Sequence, residues 1–478
     1  MNKRLSQLLD RIIAAGLVGV MVFTALAHGA VEPWSVALCS WLIIALVAMW
    51  AIKIIVDRRF ELQLPVAAVP IAALILLGLA QLATLGGAER RSLSLDIDAT
   101  RKVVLLLGLW LAAFLIAANF LKDRKRLNIL SWFLSSYGLA MAVFALAQHF
   151  TWNGLFYWVR PMGQLTAPFG PFINHNLFAG HMELLAFIPA AMALAGAVRG
   201  PARFFFVFAS AVMSLSIILS LSRGGAISLG AGMIFLALMG GVVRNRGKED
   251  ESDYASRARK RPGSLIFYLR SVIVVVAMAG VIALGLLWLG PDSVIDRATQ
   301  GQLAGANNDS QAQTFYGSRG WIWKDTWGMI RANPISGVGL GAYETAYPIY
   351  TTSDGSQKVS EAHNDYLQIL ADGGIIGALL ALWFLWAICR MIFRGLQSQD
   401  RLLSSIALGG GAAIFAMLVH SFFDFNLQLP SNALLFLLHS AVVSNIGAVS
   451  VESSATGAEM EFSRAKAGAV GASKVVSS

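Results

Sequence analysis

An all-α protein that crosses a membrane many times is the fold class this sequence predicts, on three observations. Hydrophobic residues make up 56% of the 478 and charged residues only 13%, more apolar surface than a soluble globule can hide. The apolar residues recur in runs of about 20, the length a helix needs to cross the hydrocarbon of a bilayer. Strand-like alternation is absent, and backbone groups inside lipid must be paired within their own segment, which selects helices over open strands.

Taken in order, about twelve transmembrane helices are expected, near residues 8–27, 35–56, 65–85, 102–121, 127–149, 174–198, 203–222, 225–243, 265–290, 366–390, 402–422 and 431–447. They divide the chain into N-terminal helices over 1–150, central helices over 151–290, one large extracytoplasmic loop over 291–362, C-terminal helices over 363–447 and a disordered cytoplasmic tail over 448–478. The first span has a basic start and Ala25-Leu26-Ala27 at its end, a pattern that also resembles a signal-peptidase site. Cleaved or not, it leaves His28 outside. The tail is rich in Ala, Gly, Ser and Val without a sustained period, as disordered segments are.

Orientation follows the cations, because loops rich in Lys and Arg stay on the cytoplasmic side. An inward N-terminus places most of the 37 Lys and Arg in the cytoplasm, above all those of RNRGKEDESDYASRARKRPGS at 244–264; Arg90, Arg91 and Arg101 fall on the wrong side. The net charge of +10 then reads as topology and attraction to anionic lipid, and no nucleic acid is expected as a partner. Cys39 and Cys389 both lie in apolar spans far apart in the chain, which suggests neither a disulfide framework nor a metal cluster.

The outer loop is long enough to carry short helices and to cover an opening between spans. Within it, SRGWIWKDTWGMIRANP reads as one such helix, with Ser318 as N-cap, Trp321, Trp323, Trp327 and Ile330 as apolar faces and Pro334 after its stop. Arg319 then sits at the helix start, where free N–H groups and the dipole favour an anion such as phosphate. A second arginine, Arg223 of LSRGGAISL, is nearly alone among apolar residues on the same side. Either it snorkels to lipid phosphate, or it serves a ligand that Gly224 and Gly225 allow close to the backbone.

His363 opens the tenth span, in HNDYLQILADGGIIG. Asn364 and Asp365 are good helix-start residues, and Gly373, Gly374 and Gly377 suit tight helix packing; neither account covers the histidine. Asn364 either caps the helix or holds an acceptor. Glu361, two residues before His363, either orients it or is a solvated loop carboxylate. His175, His181 and Glu183 line a groove or serve as structural hydrogen-bonding residues. His420 and Asp424 are taken as packing or supporting residues, and His28 and His149 have no partner that sequence identifies. The outer carboxylates, Asp292, Asp296, Asp309, Glu344, Asp354 and Glu361, are too scattered for a metal site. No metal and no cofactor are therefore expected.

HNDYLQILADGGIIG resembles the signature of the O-antigen ligase and polymerase superfamily: His, then Asn, Ser or Gln, then a spaced Gly and a second Gly, Thr or Tyr, filled here by His363, Asn364, Gly374 and Gly377. GSRGWIWKDTWGMIRANPISGVGLGAYE, with Arg319, Pro334, Gly337, Gly339 and Gly341, is similar to the segment that precedes this signature. SRGG at Arg223, INHNLFAGHMELL with Asn174 and Asn176, and HSFFDFNLQLP extend the likeness over roughly 160–445. The resemblance implies glycosyl transfer at the periplasmic face of a bacterial inner membrane, with a polyprenyl-diphosphate-linked glycan as donor and a sugar or lipid A-core hydroxyl as acceptor. It also allows for a chain-length regulator as partner. Under that implication His363 is the base at the acceptor hydroxyl, with a pKa suited to the task, and Arg223 and Arg319 bind the diphosphate leaving group. The reaction would be inverting and independent of metal. A membrane transporter of a small solute or anion is the alternative, opposed by the lack of paired intramembrane carboxylates and of an evident inverted repeat.

Overall fold

A computed structural model describes residues 2–85, 91–161, 168–252, 316–352 and 358–450. Apolar runs become helices in the expected order: α1 Asn2–Leu26, α2 Pro33–Asp57, α3 Ala68–Leu82, α4 Ile97–Phe120, α5 Arg124–Phe150, α6 His175–Leu194, α7 Pro201–Leu219, α8 Arg223–Ser252, α9 Tyr316–Ala332, α10 Tyr343–Tyr350, α11 Asp365–Gly395 and α12 Arg401–His420. A last helix, α13, covers Pro430–Ser450. Among the described residues ten helices are long and apolar enough to cross a membrane, and α3 is a shorter apolar helix. The expected span at 265–290, the loop over 291–315 and the tail over 451–478 lie outside the described residues. A two-residue antiparallel pairing, Thr84–Leu85 with Arg91–Ser92, leaves the all-α class unchanged.

The most buried helices are not the most apolar ones: α6 and α13 are less apolar than α2 and α4, which lie further out. The spanning windows of α6 and α13 are 94% and 89% buried, against 17% for α2, so α6, α12 and α13 form the axis that the outer helices surround. Side chains such as Phe178, Phe187, Leu408 and Leu435 fill it. At the end of the bundle where the chain begins, charged groups pair: Lys53 with Asp10 at 3.5 Å and with Asp57, Arg126 with Asp10 at 3.5 Å, and Arg124 with Asp400 at 2.5 Å. A cavity of about 610 Å³ opens there among Lys3, Lys53, Arg59, Lys122 and Arg126. The residues singled out from sequence gather at the opposite end.

Three elements depart from expectation. Helix α8 continues to Ser252 through RNRGKEDES, where Arg, Lys and Glu favour helix although Asn, Gly, Asp and Ser do not. Helix α9 begins at Tyr316, so Ser318 lies inside it and not at its N-cap. Helix α11 is broken at Gly374, whose φ of 60° and ψ of −160° form a conformation open essentially to glycine alone. The chain at 334–339 enters the break: Ile375 N–H donates to Pro334 at 2.9 Å, Val338 N–H to Ala371 at 2.9 Å and Gly339 N–H to Asp372 at 3.1 Å. A membrane helix can be interrupted only where protein re-satisfies its backbone in this way.

A Cβ at residue 374 would stand 2.3 Å from the Ile335 carbonyl oxygen. The first glycine position of the histidine signature is thus fixed by packing of the outer loop onto α11. Gly374→Ala is expected to cost at least about 2 kcal/mol, read as a lowered melting temperature of the detergent-solubilised protein; an unchanged value would contradict this account of the break.

Candidate active site

His363 is placed by its neighbours in the chain. Asn364 caps α11, its side-chain oxygen accepting from Tyr366 N at 3.0 Å and Leu367 N at 3.1 Å, while its amide reaches Phe422 O at 3.3 Å. Asp365 N–H donates to Ser421 O at 2.9 Å, and Ser421 Oγ donates to the Asp365 carboxylate at 2.8 Å. On the other side, Ala362 accepts from Trp323 Nε1 of α9 at 3.0 Å and donates to Gln368 Oε1 at 2.8 Å. With both flanks held, His363 takes φ = 50°, an uncommon left-handed value for a residue with a side chain, of the kind that concentrates where function fixes geometry.

Its ring packs against Phe425, with centroids 5.0 Å apart, and Nδ1 lies 3.3 Å from Oδ1 of Asp424. Asp424 is 2% exposed at the side chain, whereas His363 is 33% exposed. Burial alone would raise the Asp424 carboxyl. Its hydrogen bond with His363 and the positive charge around it, that of Arg319 included, outweigh burial and hold the acid below its ordinary value. Asp424 is therefore an anion in the neutral range, able to fix the imidazole by its Nδ1–H and leave Nε2 as the base. Its stabilising effect is present above the ordinary carboxylate range and is lost as pH falls through its folded value.

The same carboxylate meets Arg319, Nη2 to Oδ2 at 3.7 Å, and Arg319 Nη1 donates to the Phe423 carbonyl at 2.5 Å. The helix carrying Arg319 is fastened from behind: Asp325 accepts from Tyr347 OH at 3.0 Å, Thr351 Oγ1 at 3.1 Å and Thr352 Oγ1 at 3.0 Å. Arg223 is the first residue of α8, where Ser222 Oγ accepts from Gly225 N at 3.1 Å. Arg223 and Arg319 line one cavity of about 240 Å³ together with His175, Asn176, His420 and Asp424. His363 stands beside it through Asp424.

The structure thus brings His363, Arg319 and Arg223 to one place and sorts their neighbours. Gly224 lines that cavity and also admits protein closely, since a Cβ there would lie 2.9 Å from the His420 ring and 3.1 Å from Phe423, whereas Gly225 faces Ala179. Asn364 is a helix cap. Glu361 is not the carboxylate that meets His363, because the left-handed turn at 363 sends the ring to the 421–425 segment. His181 is a buried structural group, bonded to Asn432 at 3.0 Å and Tyr137 at 3.2 Å. His28 meets Arg160 at 3.0 Å. Asp424 is the residue sequence reasoning undervalued. Its signal was a lone carboxylate between two spans, on the side expected for His363.

Glu361 has its own signature. Burial, then repulsion from Asp372, Asp365 and Glu344, pushes its carboxyl up from 4.5 to about 8. The folded chain therefore favours the neutral acid: that contribution is complete below about pH 4.5 and disappears as pH rises through about 8. Glu361→Gln is expected to flatten the fall in melting temperature across that window. An equally steep fall in the variant would contradict it.

Among the described residues no group of three or more His, Cys, Asp and Glu side chains is placed to hold a metal ion. What the arrangement offers is an imidazole held by a carboxylate, with two guanidinium groups close by.

Residues 208–382 match the family model described as O-antigen ligase. Over that stretch the chain is similar to the O-antigen ligase family. This match supports its place in the O-antigen ligase/polymerase superfamily and, in general terms, membrane glycan ligase or polymerase activity. The matched stretch encloses Arg223, Arg319, Glu361, His363 and Asn364, whereas Asp424 falls beyond it. No curated protein matches the chain.

Proposed function

We propose that the protein transfers a glycan from a polyprenyl diphosphate to a sugar or lipid A-core hydroxyl, at the periplasmic face of a bacterial inner membrane, as an O-antigen or exopolysaccharide polymerase or ligase. The observation that carries the reading is the shared cavity: Arg223 and Arg319 line it with Asp424, and Asp424 holds His363. The side of the membrane rests on cation-rich loops at the other end of the bundle.

In this mechanism His363 Nε2 accepts the proton of the acceptor hydroxyl while its oxygen attacks the anomeric carbon. Asp424 stabilises the imidazolium that forms. The bond from the anomeric carbon to the diphosphate breaks on the opposite face, so configuration inverts, and the released charge falls to Arg223 and Arg319. Guanidinium forks suit a diphosphate because each offers paired, charge-assisted hydrogen bonds. The arginines neutralise the leaving group without a metal.

A second cavity supports a lipid-linked donor. It measures about 440 Å³, is walled by apolar side chains such as Leu74, Trp110, Leu382 and Phe436, and reaches Asp365 and Ser421 next to the histidine segment. Its chemistry suits an isoprenoid or acyl chain.

Replacement of His363 by Ala in the source bacterium, followed by glycan analysis, tests the reading. A ligase defect leaves unmodified lipid A-core with accumulated lipid-linked polymer, and a polymerase defect leaves single-repeat products. Unchanged glycans would refute both.

A further inference from the structure

His420 forms part of the same cavity wall, and the mechanism above makes no use of its imidazole. It ends α12 and is 0% exposed. Its Nδ1 lies 3.0 Å from Oε1 of Glu183 on α6, whose residue is also 0% exposed. An ionisable pair at this depth is costly to bury and by default marks function.

Only one ring nitrogen is satisfied. Nε2 of His420 is buried and has no hydrogen-bond partner, although the residue borders the space shared by Arg223, Arg319 and Asp424. Buried polar atoms are nearly always paired, so an exception calls for a ligand or a role. The ring is also held in place: Glu183 takes Nδ1, and Gly224 admits the other edge at a distance no side chain would allow. A carboxylate on one nitrogen fixes what the other can do.

We propose that His420, braced by Glu183, is a third hydrogen-bond donor to the diphosphate, and that it takes up a proton as the diphosphate enters. The inference rests on the reading of this cavity as a diphosphate site. With Glu183 accepting from Nδ1–H, the imidazolium presents Nε2–H to a phosphate oxygen, and the proton comes from solvent. The uptake turns a net-negative pair, neutral imidazole with carboxylate, into one that is neutral as a unit, with its positive end facing the anion. Charged and titratable groups reach the ring from every side: Glu183 from α6, Asp365 from α11 and Asp424 from the segment after α12, with Arg223 of α8, Arg319 of α9 and His175 of α6 in the shared walls. An arriving diphosphate shifts the balance among these charges, which makes proton uptake and ligand binding mutually favourable. The arginines alone would give no such linkage, since they stay charged throughout.

The test is calorimetric titration of farnesyl diphosphate into the full chain in lipid nanodiscs, in buffers of different ionisation enthalpy. The wild-type protein is expected to take up about one proton on binding and to bind more weakly as pH rises. His420→Gln and Glu183→Gln are expected to bind about tenfold or more weakly and without proton uptake, whereas His363→Gln keeps the uptake. The wild-type measurement stands even where a variant fails to fold. Binding without uptake in the wild type, or uptake that survives His420→Gln, overturns the role of His420 and leaves the diphosphate site intact. No binding of farnesyl diphosphate to the wild type overturns the site itself.

Discussion

His363→Ala is expected to lower turnover by about two to four orders of magnitude, the range a positioned general base supplies, with the KM for the lipid-linked donor nearly unchanged. The measurement is release of polyprenyl diphosphate by purified protein with donor and acceptor supplied. The separation of kcat from KM matters, because in the proposed mechanism the imidazole acts on the acceptor hydroxyl and the arginines hold the donor. Asp424→Asn should follow it in kind. The substitution keeps the shape but removes the anion that lies 3.3 Å from Nδ1, so the imidazole loses both its fixed tautomer and the charge that stabilises its protonated form. Turnover within tenfold of wild type in His363→Ala would end the role of His363 as base.

Arg319→Lys is expected to lose about as much as Arg319→Ala, some two to three orders of magnitude in kcat/KM. Its guanidinium has two tasks, a bond to the Phe423 carbonyl at 2.5 Å and an approach to Asp424 at 3.7 Å. A single ammonium cannot satisfy both and still face a phosphate. Arg223 differs, being exposed at the mouth of the cavity, so Arg223→Lys should retain more activity and become more sensitive to salt. Full activity in Arg319→Lys would show that a point charge suffices and remove the case for a fork.

Most of the fold was legible because the bilayer imposes one rule on every segment. Apolar runs of sufficient length became helices from α1 to α8 and from α11 to α13, and periodicity needed no partner to be read. The break at Gly374 was not legible. It depends on Pro334, Ile335 and Gly337 arriving from a distant loop, and the sequence there offers only a glycine that packing between helices would also explain. The site divided along the same line. His363, Arg319 and Arg223 stood out as polar groups where polar groups are costly, whereas the partnerships that organise them link positions far apart: Asp424 with His363, Glu183 with His420, Trp323 with Ala362. Single-chain patterns mark which residues are unusual. They do not show which of them meet.

The most direct measurement is the structure of the protein with a polyprenyl diphosphate bound. The diphosphate is expected between Arg223 and Arg319, within hydrogen-bonding reach of both, with His363 Nε2 facing the side from which an acceptor hydroxyl would arrive. A diphosphate seated instead at the other end of the bundle, among Lys53, Arg59 and Arg126, with the Arg223–Arg319 cavity closed to it, would contradict the account.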